Sequence, residues 1–228
     1  MKTFLCKSIL SLTVSASLIF LSCGVEVSQT IHHQFNDPNS SGNNHSSMQV
    51  IKRTLDNGLT VYLSPNHEEP RFYAEIITRA GSKHDPETNT GLAHYLEHLL
   101  FKGTTSFGTV DYPKEKALLD EITDLYEERS KESNESQRKK IYDRINEVST
   151  QAAAFAIPNE MDRVYSDMGG KGINAHTWHE ETVYKVDLPS NRLSHWAKIE
   201  SERFANPVFR LFHTELETVY EEKNRSID

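Results

Sequence analysis

Gly91-Leu92-Ala93-His94-Tyr95-Leu96-Glu97-His98-Leu99-Leu100-Phe101 is the stretch whose reading decides the fold. It reads as one amphipathic helix, with Thr90 as its expected N-cap and Gly103 as its expected stop. Leu92, Leu96, Leu99 and Leu100 recur at helical spacing and face a core. His94 and His98 are four residues apart, so their imidazoles rise from one face on successive turns and can grip a single ion. Glu97 lies one turn beyond His94 and next to His98, within reach of a water on that ion.

His-x-x-Glu-His is the inverted form of the zinc-peptidase helix, and it calls for the same chemistry. Two neutral imidazoles and one further protein ligand leave a zinc position open. Bound zinc lowers the pKa of water from ~16 to about 7, and an adjacent carboxylate takes the proton as the water attacks a carbonyl. The chain holds 11 His among 228 residues, so the motif needs support from elsewhere in the sequence.

The N-terminus reads as a targeting segment over residues 1–22. Lys2 and Lys7 form a basic region, and Ser8 to Leu21 form an apolar run too short to span a bilayer comfortably. It ends at Ser22-Cys23-Gly24, which resembles a bacterial lipoprotein signal in which Cys23 is acylated, although Phe20 stands where Leu is usual. Ordinary signal cleavage is the alternative. The expected location is the bacterial cell envelope, as a membrane-anchored lipoprotein or a periplasmic protein, with membrane contact only through that lipid. Cys6 and Cys23 are the only cysteines, so the exported domain has no disulfide and no thiol ligand. Residues 23–47 are polar and read as a tether, with His32, His33 and His45 solvated. A net charge of −8 and the lack of a basic cluster argue against nucleic acid as a partner.

Residues 48–228 form the domain. Met48 to Pro65 reads as a hairpin turning at Asp56-Asn57-Gly58, and Phe72 to Ala80 as a third strand closed by Gly81 and Asp85-Pro86. Beyond the metal helix, residues 113–155 read as a helical hairpin. Leu118, Leu119, Ile122 and Leu125 mark its first helix, and Ile141, Ile145, Val148 and Ala152 its second. Its many Lys and Glu residues read as a wet face. Strand character returns at 172–177 and 182–186. A helix capped by Ser190 or Asn191 carries Leu193, Trp196, Ile199 and Phe204, and Pro207 ends it. The fold class is α+β, an antiparallel-rich sheet packed on helices.

The last helix, Leu211 to Asn224, contains Glu215, Glu217, Glu221 and Glu222. Zinc needs a third ligand, and a carboxylate suits it where no thiol is present. Glu215 and Glu222 are two turns apart on one face, so one can ligate while the other orients a histidine. Spacing alone does not choose among the four glutamates.

Three stretches, taken in order, resemble the pitrilysin/insulin-degrading enzyme family of inverted zinc metallopeptidases. They are His94-x-x-Glu97-His98 with Leu99 to Thr104, Asn174-Ala175-x-Thr177 with Thr182-x-Tyr184, and Glu215-x-x-x-Val219-x-x-Glu222. The resemblance implies one zinc held by His94, His98 and Glu222, with Glu97 as general base and Glu215 supporting the site. It implies that Asn174, Ala175 and Thr177 form an edge strand to which peptide substrate adds by main-chain hydrogen bonds. His176 and His179 read as groove or surface residues. The span from His98 to Glu222 is longer than is usual in the family, and the 113–155 hairpin accounts for the excess as an insertion. Ending at Asp228, the sequence reads as the front portion of such a domain. The expected activity is that of a zinc metalloendopeptidase on short or unfolded peptides. A second half-domain or partner chain would complete the chamber, and the alternative is a non-catalytic or partner-dependent subunit.

Overall fold

A computed structural model describes residues 49–225. The expected targeting segment and the whole of the expected tether, Cys23 included, lie outside the described residues. Among those described, no helix is long and apolar enough to cross a membrane. Contacts divide the chain into two units, with one break at Pro70/Arg71.

Before that break lies a hairpin of strands β1 (Ile51–Thr54) and β2 (Thr60–Leu63), paired antiparallel with Ile51 opposite Leu63 and Thr54 opposite Thr60. The Leu55 amide donates to Leu59 O (2.8 Å) and the Gly58 amide to Leu55 O (2.8 Å). Gly58 supplies the positive φ of 85° that this three-residue turn requires.

After the break come β3 (Arg71–Thr78), α1 (Leu92–Leu99), α2 (Tyr112–Lys131), α3 (Glu135–Ala153), α4 (Glu160–Asp167), β4 (Lys171–Thr177), β5 (Thr182–Pro189), α5 (Leu193–Ala205) and α6 (Phe212–Arg225). Strands β3, β5 and β4 form an antiparallel sheet in that order. Alternation along each strand turns Phe72, Ala74, Val186, Leu188 and Ile173 to one face, where they pack with Met161 and Tyr165 of α4 and Trp196 and Ile199 of α5. The outer strand β4 is irregular between Lys171 and Asn174, where Gly172 adopts a φ of 58°.

The helical hairpin forms as its periodicity predicts, spanning Tyr112 to Ala153. Asp111 caps α2 by accepting from the Lys114 amide, and Asn134 caps α3 by accepting from the Gln137 amide. Ile122, Ile141, Ile145, Val148 and Ala152 form its core, with Leu118, Leu119, Leu125, Tyr126 and Phe212 packed against them. Two expectations are corrected. Helix α4 lies outside the expected elements, although Met161, Val164, Tyr165 and Met168 recur at helical spacing; it is only eight residues long, with Met161 and Tyr165 its buried positions. The hairpin's acidic residues are not all wet, because Glu115 is 0% exposed.

Candidate metal centre

The helix expected at residues 91–101 is α1, Leu92–Leu99. Its start is not capped by Thr90. Gly91 is the N-cap, with a φ of 88°, and the capping acceptor comes from the preceding turn. Asp85 accepts from the Gly91 amide through Oδ2 (2.7 Å) and from the Ala93 amide through Oδ1 (2.9 Å). Two of the open donors at the helix start are thereby met by a carboxylate, which also suits the positive end of the helix dipole. Leu99 and Tyr95 are buried against Val219 of α6. The Tyr95 hydroxyl donates to the Phe212 carbonyl. Burial, together with the nearby Glu215 carboxylate, pushes the Tyr95 phenol well above its ordinary range, so it remains a donor.

On this scaffold the His94 and His98 Nε2 atoms lie 3.2 Å apart. Glu222 Oε2 on α6 is 3.4 Å from His94 Nε2 and 3.5 Å from His98 Nε2. Tetrahedral zinc with bonds of 2.0–2.2 Å requires ligand atoms separated by roughly 3.3–3.5 Å. The two edges to Glu222 fall in that range and the 3.2 Å edge between the histidines lies just below it, and the donor set of two imidazoles and a carboxylate suits zinc. Among the described residues this is the one group of three or more His, Cys, Asp or Glu residues drawn together closely enough to hold an ion. The side chains of His94 (35% exposed) and Glu222 (44%) leave the group open to solvent on one side.

The other glutamates of α6 separate by position. Glu215 Oε2 lies 3.3 Å from His98 Nδ1, and Glu215 Oε1 lies 2.6 Å from Lys102 Nζ. Glu215 Oε2 is thus placed to accept an Nδ1 proton, the tautomer that leaves the His98 Nε2 lone pair free for a metal ion. Glu221 pairs with Arg225.

Glu97, only 7% exposed, stands outside the three-residue group and accepts a hydrogen bond from the Thr177 hydroxyl at 2.5 Å. The Thr182 hydroxyl, 3.3 Å from that of Thr177, donates to Ala80 O at 2.9 Å. Each hydroxyl has a single proton, so that of Thr177 is directed to the carboxylate. Asn174 and Ala175 lie beside Thr177 on β4, with Asn174 Oδ1 accepting from the Ala175 amide. Thr177 therefore reaches α1 through Glu97, whereas Asn174 and Ala175 lie along the outer strand. His176 is exposed on β4. His179 lies in the following turn, its Nδ1 3.3 Å from Ser82 Oγ.

Sequence reasoning missed the support beneath the site. Arg210, 2% exposed, directs all five of its N–H donors into the protein. Nε and Nη2 reach Glu115 at 2.7 and 3.0 Å, Nη1 reaches the carbonyls of Lys102 (2.7 Å) and Phe107 (3.3 Å), and Nη2 also reaches Thr104 O (2.9 Å). The loop closes on the guanidinium so tightly that a Cβ on Gly103 or Gly108 would come within 2.6 Å of Nη1. The available signal is the run Gly103-Thr104-Thr105-Ser106-Phe107-Gly108-Thr109 after α1, whose two glycines mark a close approach.

Residues 60–125 match the family described as Insulinase (Peptidase family M16). Protease 3 of Escherichia coli (strain K12) is 34% identical over 71 residues, which cover 31% of this chain and 7% of that protein. The probable zinc protease PqqL of Haemophilus influenzae is 35% identical over 54 residues, 23% of this chain and 6% of that protein. The matched stretches are thus a small fraction of these relatives. Among solved structures, the first half of the periplasmic protease PqqL from Escherichia coli superposes with a TM-score of 0.50 at 22% identity, covering 78% of this chain and 29% of that one. That likeness concerns the fold.

Proposed function

Because this chain belongs to the insulinase family of peptidases, we propose that it carries the zinc centre of a metalloendopeptidase acting on short or unfolded peptides. The observation that supports the reading is the meeting of His94, His98 and Glu222 close to the edge lengths of a tetrahedral zinc site. In this reading those three residues hold one zinc and Glu215 orients His98. When bound, zinc supplies Lewis-acid activation of water and of the peptide carbonyl.

Glu97 is the general base. Its Oε2 is held by Thr177, and we assign the proton taken from the attacking water to its other oxygen. Asn174, Ala175 and Thr177 lie on the outer strand β4, where an extended peptide can add by main-chain pairing. Peptide substrates and export to the cell envelope are part of the proposal. The periplasmic location named for the structural relative supports the latter, as do the basic and apolar runs of residues 1–22. A lipid on Cys23 remains part of the same proposal.

A second reading is favoured by coverage. This chain spans 29% of its structural relative, itself the first half of a protease. Peptide cleavage then requires a further half-domain or partner chain to close the chamber.

The test is a zinc titration of the chain against a chromogenic chelator. About one zinc per chain is expected in the wild type, lost in His94→Ala and Glu222→Ala and retained in Glu97→Gln. Peptide cleavage, with or without an added partner half, should disappear in Glu97→Gln. A wild type that binds no more zinc than His94→Ala refutes the centre, and cleavage by a pure Glu97→Gln preparation refutes the base.

A further inference from the structure

The loop after α1 contributes a residue to this centre that lies outside the zinc-binding motif. Lys102 is fixed at three points. Its amide donates to Leu99 O at 3.1 Å, and its carbonyl accepts from the buried Arg210 at 2.7 Å. Its ammonium lies 2.6 Å from Glu215 Oε1, with both side chains largely shielded from solvent at 20% and 12% exposure. The other oxygen of the same carboxylate faces His98 Nδ1 at 3.3 Å. The two oxygens of Glu215 are therefore divided between a cation on one side and a histidine on the other.

We propose that Lys102 is a positioning residue for the metal centre: its ammonium locks the Glu215 carboxylate in the orientation that aims His98 at the ion. The inference rests on the zinc reading given above. A carboxylate held only through Oε2 can turn about its terminal torsion, which has a broad energy well. Holding Oε1 as well removes that freedom, and the His98 ring inherits the restraint through its Nδ1 proton. The position of Lys102 is set in turn by Arg210, whose guanidinium is pinned by Glu115 at 2.7 Å. A continuous path of hydrogen bonds thus runs from the first turn of the helical hairpin to His98.

Charge and positioning predict opposite outcomes when Lys102 is removed, which makes the proposal decidable. Loss of a positive charge beside the site attracts a dication more strongly. Loss of the lock weakens binding, because partners that orient a metal ligand are worth about 10- to 100-fold in affinity. Lys102 acts one bond further out, so the expected loss is about three- to tenfold.

The experiment is a competition titration of zinc into wild type, Lys102→Met, Lys102→Arg, Glu215→Gln and the double variant Lys102→Met/Glu215→Gln. Far-ultraviolet circular dichroism of the metal-free proteins verifies folding. Lys102→Met is expected to bind zinc more weakly, and Lys102→Arg, which keeps charge and reach, to restore affinity. The double variant should bind no more weakly than Glu215→Gln alone. Unchanged or tighter binding by Lys102→Met overturns the proposal, as does an additive double variant. If Lys102→Met does not fold, Lys102→Arg decides: affinity within about threefold of wild type upholds the role, and a tenfold loss overturns it. Wild type and His94→Ala binding zinc equally would instead overturn the centre itself, and this proposal with it.

Discussion

Replacing Arg210 with Met should be the most damaging single change in the described chain outside the ligand set. Arg210 and Glu115 are 2% and 0% exposed, and the guanidinium meets both carboxylate oxygens, at 2.7 and 3.0 Å. Removing one member of a buried pair leaves the other as an uncompensated charge, at about 3–5 kcal/mol. The carbonyls of Lys102, Thr104 and Phe107 lose their donor as well. Each is worth about 1 kcal/mol in isolation, but contacts that share one side chain do not simply add. The expected loss is at least about 4 kcal/mol, a large share of the roughly 5–15 kcal/mol that holds an ordinary domain folded. Urea unfolding of the metal-free chain, followed by far-ultraviolet circular dichroism, measures it. Glu115→Leu added to Arg210→Met should recover part of the loss, because no buried carboxylate is then stranded. Arg210→Met within about 1 kcal/mol of wild type would refute the reasoning, since that is the scale of one ordinary hydrogen bond. A double variant no more stable than Arg210→Met would refute the charge argument in particular.

Thr177→Val, nearly the same shape, removes the donor to the buried Glu97 carboxylate. It should lower stability by about 1–3 kcal/mol, whereas Thr177→Ser keeps the hydroxyl and should lie closer to wild type; equal stabilities in chemical denaturation would rule out this bond as a determinant. Glu202 gives the pH prediction. Partial burial acts to raise its pKa, but hydrogen bonds from Asn206, Ser106, Thr105 and Thr104 outweigh that and hold the carboxyl below its ordinary range. The folded chain therefore takes up this proton less readily than the unfolded chain. The stabilisation is complete above the unfolded carboxyl pKa, ~4.3, and is lost as the pH falls through the lower folded value. The stability difference between wild type and Glu202→Gln should shrink on acidification from pH 6 to 3, and a difference independent of pH would remove Glu202 from the account.

The elements that were legible in the sequence are those whose partners are near in the chain. His94 and His98 meet because a helix brings every fourth residue to one face. Ile122, Ile141, Ile145 and Val148 announce two helices by period, and in the fold they close on one another. Asn57-Gly58 announces its turn. What was hidden depends on groups far apart in sequence. Glu115 looks like any acid on a charged helix until Arg210 reaches it. Asp85 looks like a turn residue until its carboxylate caps α1 in place of Thr90. The four glutamates of α6 are alike by spacing, and only the packing of Val219 against Tyr95 and Leu99 turns Glu215 and Glu222 toward the histidines.

That dependence gives the helical hairpin a larger part than its separation in sequence implies. Phe212, the first residue of α6, packs both into the hairpin core and against the Tyr95–Leu99–Val219 cluster under the histidines. Its backbone carbonyl accepts from Tyr95, and the Tyr126 hydroxyl of α2 meets the neighbouring His213 at Nε2, 2.6 Å away. Glu115, in the first turn of α2, supplies the counter-charge for Arg210 just before α6 begins. The segment that brings Glu215 and Glu222 beside the histidines is thus held on one side by α1 and on the other by the hairpin. Long surface segments are inexpensive in chain entropy when they only close a loop, but this hairpin acts as a support. Excising it would strand the Arg210 charge and uncover one side of Phe212, so the hairpin and α6 form one packed structure.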